Sequence, residues 1–179
     1  MSNIVLKNVR LSFPSLFNRS MFQGTEGKFE ATFLIPKEDK ATIDTINKAI
    51  AALYAENKIK VPLTADKVCF KDGNTISNKD GDVMDGYQGC MSFKAASNKP
   101  VQIVNRDKSP ITEEQNIIYA GCYVNAVVGL WWQSNAYGKR VNGNLMAVQF
   151  VKDGDNFGSS SFDADSAFDD LDGSSLSDL

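Results

Sequence analysis

The chain has 179 residues, 42% of them hydrophobic, and its 19 basic and 22 acidic residues give a formal net charge of −3. That length suits one domain, or one domain with an appendage. The sequence has no histidine and only three cysteines, at 69, 90 and 122, without a CxxC pair; this excludes Ser-His and Cys-His nucleophile pairs and fits neither a disulfide framework nor a zinc site.

The N-terminal stretch MSNIVLKNVRLSF alternates apolar and polar residues. It lacks the apolar block and small-residue cleavage site of a signal peptide, so a cytoplasmic protein is expected. No apolar run approaches the roughly 18 residues that a bilayer span requires, and no membrane partner is expected. Residues 3–13 read as a strand ended by Pro14, and PSLFNRSMFQGTEG (14–27) as an aromatic-rich loop, under which Phe13 and Phe17 pack. In KFEATFLIP (28–36), Phe29, Ala31, Phe33 and Ile35 share one face and Lys28, Glu30 and Thr32 the other, the alternation of a half-buried strand.

A helix follows. Asp39 is its N-cap, Ile43, Ile46, Ile50 and Leu53 form an apolar stripe for core packing, and Asn57 and Lys58 close it. VCFKDG (68–73) is a short strand, and the polar, Gly-rich stretch 72–89 a long loop. Asp80, Asp82 and Asp85 lie close together there, but the EF-hand spacing and its terminal Glu are missing, so a solvated turn is expected, with no metal and no cofactor. CMSFKAAS (90–97) and PVQIVN (100–105) are strands joined by a hairpin turn at 97–99. IIYAGCYVNAVVGLWWQ (117–133) is the longest strand, SNAYGKRVNG (134–143) a turn, and NLMAVQFVKDG (144–154) the last strand.

One helix among six or seven strands predicts a mostly-β domain. A strand as long as 117–133 belongs to a sheet that closes on itself, which favours an OB-fold-like Greek-key barrel over a β-sandwich. Residues 1–158 are expected to form this domain and 159–179 a disordered acidic tail.

The charge is unevenly divided. From Asp153 onward there are eight Asp and no basic residue, so residues 1–152 carry 14 acids against all 19 bases, or +5, and the remainder carries −8. A basic body with an acidic tail points to an anionic partner. Within 117–133 the even positions are apolar throughout and define the inward face. The odd positions bring Tyr119, Tyr123 and Trp131 outward, with Gly121 and Gly129 leaving room for a ligand near the backbone. Flat rings stack on nucleobases and cations neutralise phosphates. The candidate nucleic-acid-binding residues are therefore Lys7, Arg10, Arg19, Tyr119, Tyr123, Trp131, Tyr137, Lys139 and Arg140. In the tail, Phe162, Phe168, Asp169, Asp170, Leu171, Asp172, Asp178 and Leu179 are candidate partner-binding residues.

Taken in order, VRLSFPSLF (9–17), ATFLIPK (31–37), FKDG (70–73), DGYQGCMSFKAASNKP (85–100), IIYAGCYVNAVVGLWW (117–132) and NLMAVQFVKDGDNFG (144–158) resemble a family of bacteriophage single-stranded DNA-binding proteins with an OB-fold and an acidic tail. The resemblance implies non-catalytic binding of single-stranded DNA in phage replication, recombination or repair; for the acidic tail with its apolar residues, replication or recombination proteins are the expected partners. The chain's terminal Leu179 stands where related tails carry Phe. The rival readings are a phage structural or protein-interaction barrel that binds no nucleic acid, and a metal-dependent nuclease built on Asp80, Asp82 and Asp85. The oligomeric state is left open by the sequence.

Overall fold

The computed structural model describes residues 3–157, apart from 23, 79, 85 and 137. Its elements are β1 (Ile4–Ser15), β2 (Met21–Phe22), β3 (Thr25–Glu26), β4 (Phe29–Pro36), α1 (Lys40–Glu56), β5 (Phe70–Asp72), β6 (Cys90–Ser97), β7 (Gln102–Val104), β8 (Tyr123–Asn135) and β9 (Gly138–Lys152). β1 pairs antiparallel with β4 on one side and β8 on the other, β4 with β6, and β8 with β9. A short parallel pairing of β6 with β9, at Ala95↔Gly143 and Ala96↔Asn144, closes the circle. The result is a five-strand barrel of the expected OB type, with β5 and β7 added on β6 and β9. Gly143 makes the closure possible: a Cβ there would overlap the Lys94 carbonyl.

The barrel interior follows from the alternation in the strands. Cys122 and, along β8, Val124, Ala126, Val128 and Leu130 are buried with Leu6, Val9, Leu11, Phe33, Phe93, Val141 and Leu145. α1 begins where expected: the Asp39 side chain accepts from the Thr42 backbone N–H at 3.3 Å and from the Thr42 hydroxyl at 2.8 Å. Its buried residues are Ile46 and Ile50, with Ile43 and Leu53 packed beside them. The helix therefore closes the core with one apolar stripe, and truncating Ile46 to Ala would destabilise by about 2–5 kcal/mol.

Several boundaries differ from the sequence reading. β1 does not stop at Pro14 but continues to Ser15 through an irregularity in its pairing with β4. Pro lacks only the donor, and a break in the ladder removes the need for one. β4 is more than half buried, since Thr32 and Leu34 on its second face are also covered. The stretch 117–122 is not strand; Gly121, at φ +110°, turns the chain into β8. The residues read as a turn at 134–143 are mostly paired, because β8 and β9 stay in register from Gln133↔Arg140 to Asn135↔Gly138. β6 and β7 form no hairpin either. β7 pairs in parallel with β9, so the connection at 97–101 crosses instead of folding back.

Candidate nucleic-acid interface

The outward faces of the barrel strands meet in an open groove of about 540 Å³. Strand register sets its lining. Thr32 of β4 lies opposite Lys94 of β6, Ser92 of β6 opposite Lys71 of β5, Trp131 of β8 opposite Asn142 of β9, and Gln133 opposite Arg140. Lys28, Lys67 and Phe13 complete the rim. Five cations (Lys28, Lys67, Lys71, Lys94 and Arg140) thus face one carboxylate, Asp66, among the lining residues. Lys94 also has Glu30 Oε2 at 3.8 Å, and Lys94 is mostly exposed, so the pair is loose.

Two aromatic rings stand in this groove. Trp131 is half-buried on β8. Phe13 is 60% exposed and sits at φ +46°, a left-handed conformation that a bulky side chain rarely adopts. The twist in β1 therefore turns Phe13 out instead of packing it beneath the loop. Phe17 does pack against the core, as expected. Trp132 points the other way and meets Tyr54 edge-on, with ring centroids 6.3 Å apart.

Beneath the rings the floor is neutral and fixed. The buried Tyr87 hydroxyl is 2.8 Å from the Ser12 hydroxyl. Burial raises the Tyr87 phenol above its usual range, against the opposing effect of hydrogen bonds with Ser12 and Thr32. Burial also pushes the Cys69 thiol in the groove wall up to about 12, so it stays protonated and unreactive. Among the described residues no group of three or more Cys, Asp or Glu is placed to hold a metal ion. Among the described residues no helix is long and apolar enough to cross a membrane.

The residues expected to bind nucleic acid divide into separate groups. Trp131 and Arg140 lie in the groove. Lys139 is exposed at the tip of the β8–β9 hairpin, paired with Ser134, and does not line the groove. Lys7 is exposed beside a bulge in β1, where Asn8 (φ +52°) donates its N–H to Asn125 Oδ1 at 2.9 Å. Arg19 is held by the Gly27 and Asn98 carbonyls at 3.2 and 2.6 Å and lies over the Phe29 ring. Tyr123 is at the far end of β8, eight residues and about 26 Å from Trp131 at strand rise.

Arg10, Tyr119 and Tyr123 instead form a clasp for the segment that follows β9. Arg10 donates to Gly121 O at 3.0 Å and to Asp155 O at 2.6 Å. The Tyr119 hydroxyl accepts from Gly154 N at 3.0 Å and can donate to Asp153 Oδ1 at 2.9 Å. Tyr123 has Arg10 on one side and Lys152 on the other, 5.7 and 4.8 Å from its ring centroid. Gly121 serves the chain itself and not a ligand, since a Cβ there would overlap the Asp155 carbonyl. Gly129 is buried opposite Asn144. Tyr137 and the tail residues Phe162, Phe168, Asp169, Asp170, Leu171, Asp172, Asp178 and Leu179 lie outside the described residues.

The sequence reading missed Lys28, Lys67, Lys71 and Lys94. The signal for two of them is present in the sequence: Lys28, just before β4, shares the parity of Glu30 and Thr32, and Lys94 alternates with Phe93 and Ala95 in the same way. Lys67 and Lys71 enter only through tertiary placement of the short turn Ala65–Lys67 and of β5.

Fold and groove together define a small OB-type barrel with a cationic, ring-lined open face. The chain belongs to the family described as Enterobacter phage Enc34, ssDNA-binding protein, which it matches over residues 2–177. It is 36% identical over 174 residues to protein p50 of Acyrthosiphon pisum secondary endosymbiont phage 1, covering 94% of this chain and 93% of that one. Among solved structures it resembles the single-stranded DNA-binding protein of bacteriophage Enc34 in complex with ssDNA. The TM-score there is 0.75 at 28% identity, over 87% of this chain and 89% of that one. A more distant likeness, to gp2.5 of bacteriophage T7, a single-stranded DNA binding protein, has a TM-score of 0.56 at 14% identity. It covers 89% of this chain and 97% of that one and speaks for the fold alone.

Proposed function

We propose that this chain is a non-catalytic single-stranded DNA-binding protein and that the strand runs through the groove between Phe13 and Trp131. The observation that carries the reading is the convergence, on one open face, of two accessible rings and five cations drawn from five strands, the turn Ala65–Lys67 and the residue before β4. Rings accept any base and cations accept any phosphate, so binding is largely blind to sequence. Membership of the family and likeness to a relative whose structure holds ssDNA support the same reading.

In this reading residues 1–158 carry the groove and act in phage replication, recombination or repair in the host cytoplasm. Residues 159–179 bear six of the eight terminal aspartates and compete with DNA for the cations at a tethered concentration on the order of mM. Once displaced, Phe162, Phe168, Leu171 and Leu179, among Asp169, Asp170, Asp172 and Asp178, anchor replication or recombination proteins.

Titration of Trp fluorescence with oligo-dT over a range of salt tests this, using the full chain and a chain ending at Gly158. With about 4 phosphates neutralised, log K should fall against log salt with a slope of about −3. Truncation should tighten binding at low salt. Affinity that ignores salt, or no binding to oligo-dT, overturns the reading.

A further inference from the structure

Asp66 is anomalous in a surface that only tracks phosphates. It is the carboxylate among five lining cations, and a phosphate is repelled by it. Its place is nonetheless fixed. It lies in the turn Ala65–Lys67, which is tied to β9 where Arg140 Nη1 donates to the Asp66 carbonyl at 3.3 Å. The next residues reinforce the tie, with Cys69 N–H donating to Val141 O at 3.0 Å.

Arg140 lies opposite Gln133, and Asn142 opposite Trp131, and with Asp66 held at Arg140 by its backbone carbonyl all five residues line the same groove. Both ends of the Gln133 amide are used: Oε1 accepts from Asn142 Nδ2 at 2.7 Å, and Nε2 donates to Asn135 Oδ1 at 3.2 Å. The acceptors left to a ligand are Asn142 Oδ1 and the Asp66 carboxylate, beside the second N–H of each amide nitrogen. The Thr64 hydroxyl, with backbone hydrogen bonding and nearby Lys67 and Arg140, holds that carboxyl below its usual range, so it is ionised at neutral pH. Arg140 and Lys67 add donors suited to the phosphates of a bound strand.

We propose that these residues form a base-selective subsite in which a base stacked on Trp131 is held best when its edge carries an exocyclic amino group. The inference rests on the single-strand reading above and adds a specificity to it. Cytosine and adenine present an amino donor, at N4 and N6, that the carboxylate can accept; thymine presents carbonyl oxygens there, which it repels.

The test compares the full chain's affinity for oligo-dC and oligo-dT of equal length at one salt concentration and pH 8. Oligo-dC is expected to bind about fivefold more tightly or better, a modest share of what a well-formed base contact discriminates. Asp66→Ala should bring the two within about twofold, by weakening dC while dT is unchanged or tighter. Asp66→Asn, which keeps one acceptor, should fall between. Equal affinities in the unaltered chain, or a preference that survives Asp66→Ala, overturn the subsite and leave the single-strand reading intact. Failure of both polymers to bind would instead overturn the single-strand reading itself.

Discussion

The Arg10 guanidinium lies 4.0 Å from the centroid of the Phe157 ring, joining the first strand of the barrel to the segment that leaves the last. The ring is seated over Gly86, where a Cβ would overlap it. With Gly121 and Asp155 accepting from the same guanidinium, a residue that looked like a phosphate ligand is committed to holding the chain's own backbone.

Arg10→Ala should therefore act on stability and not on DNA affinity. Loss of two charge-assisted hydrogen bonds and a cation–π contact at a half-buried site predicts a destabilisation of about 2 kcal/mol. Urea melts should show it, while affinity for oligo-dT stays within about twofold. A variant that melts normally but binds poorly would return Arg10 to the interface.

Phe13 and Trp131 should behave in the opposite way. Stacking contributes about 1–3 kcal/mol per base, so Phe13→Ala and Trp131→Ala should each weaken oligo-dT binding by roughly five- to hundredfold. Phe13→Gly adds a sharper test. It removes the ring but also the left-handed strain recorded at φ +46°, so affinity should fall while the melting temperature holds or rises. DNA-dependent quenching should vanish in Trp131→Phe and survive in Trp132→Phe, because Trp132 is packed on Tyr54.

The cations divide in the same manner. Replacing Lys28, Lys67, Lys71 or Arg140 singly by Ala should shallow the salt slope by about 0.7, the share of one phosphate on a single strand. Lys7→Ala and Lys139→Ala should leave the slope unchanged, since neither side chain lines the groove. A full titration of log K against log salt for each variant checks this.

How much of this was legible in the sequence depends on the range of the interaction involved. The alternation in β4 and β8 gave the inward faces, because period two is a property of a single strand. It also gave Trp131. The α1 N-cap at Asp39 was readable for the same reason. Tyr119 and Tyr123 share the parity of Trp131, yet Tyr119 precedes the strand and both contact the segment 152–154 that returns from β9. These contacts span about thirty residues of chain and leave no local trace. The groove's Lys67 and Lys71 were hidden likewise, as their turn and short strand gain a direction only by lying against β9 and β6.

The thiols give the last prediction, on pH. Burial raises Cys69 to about 12 from an ordinary 9.0, and burial likewise raises Cys90 and Cys122. A thiol with a raised folded value keeps its proton in the native state after the unfolded chain has lost it. Between the two values the unfolded state binds fewer protons, so stability declines as pH rises. The contribution is complete below pH 9 and is lost progressively from there to about 12, at up to about 1.4 kcal/mol per pH unit for a fully buried thiol. Urea midpoints should be flat from pH 7 to 8.5 and fall by pH 10.5. Cys69→Ser, which does not titrate in this range, should reduce the steepness of that fall while lowering the midpoint at pH 7. An alkaline limb as steep in the variant as in the parent would show that Cys69 does not drive it.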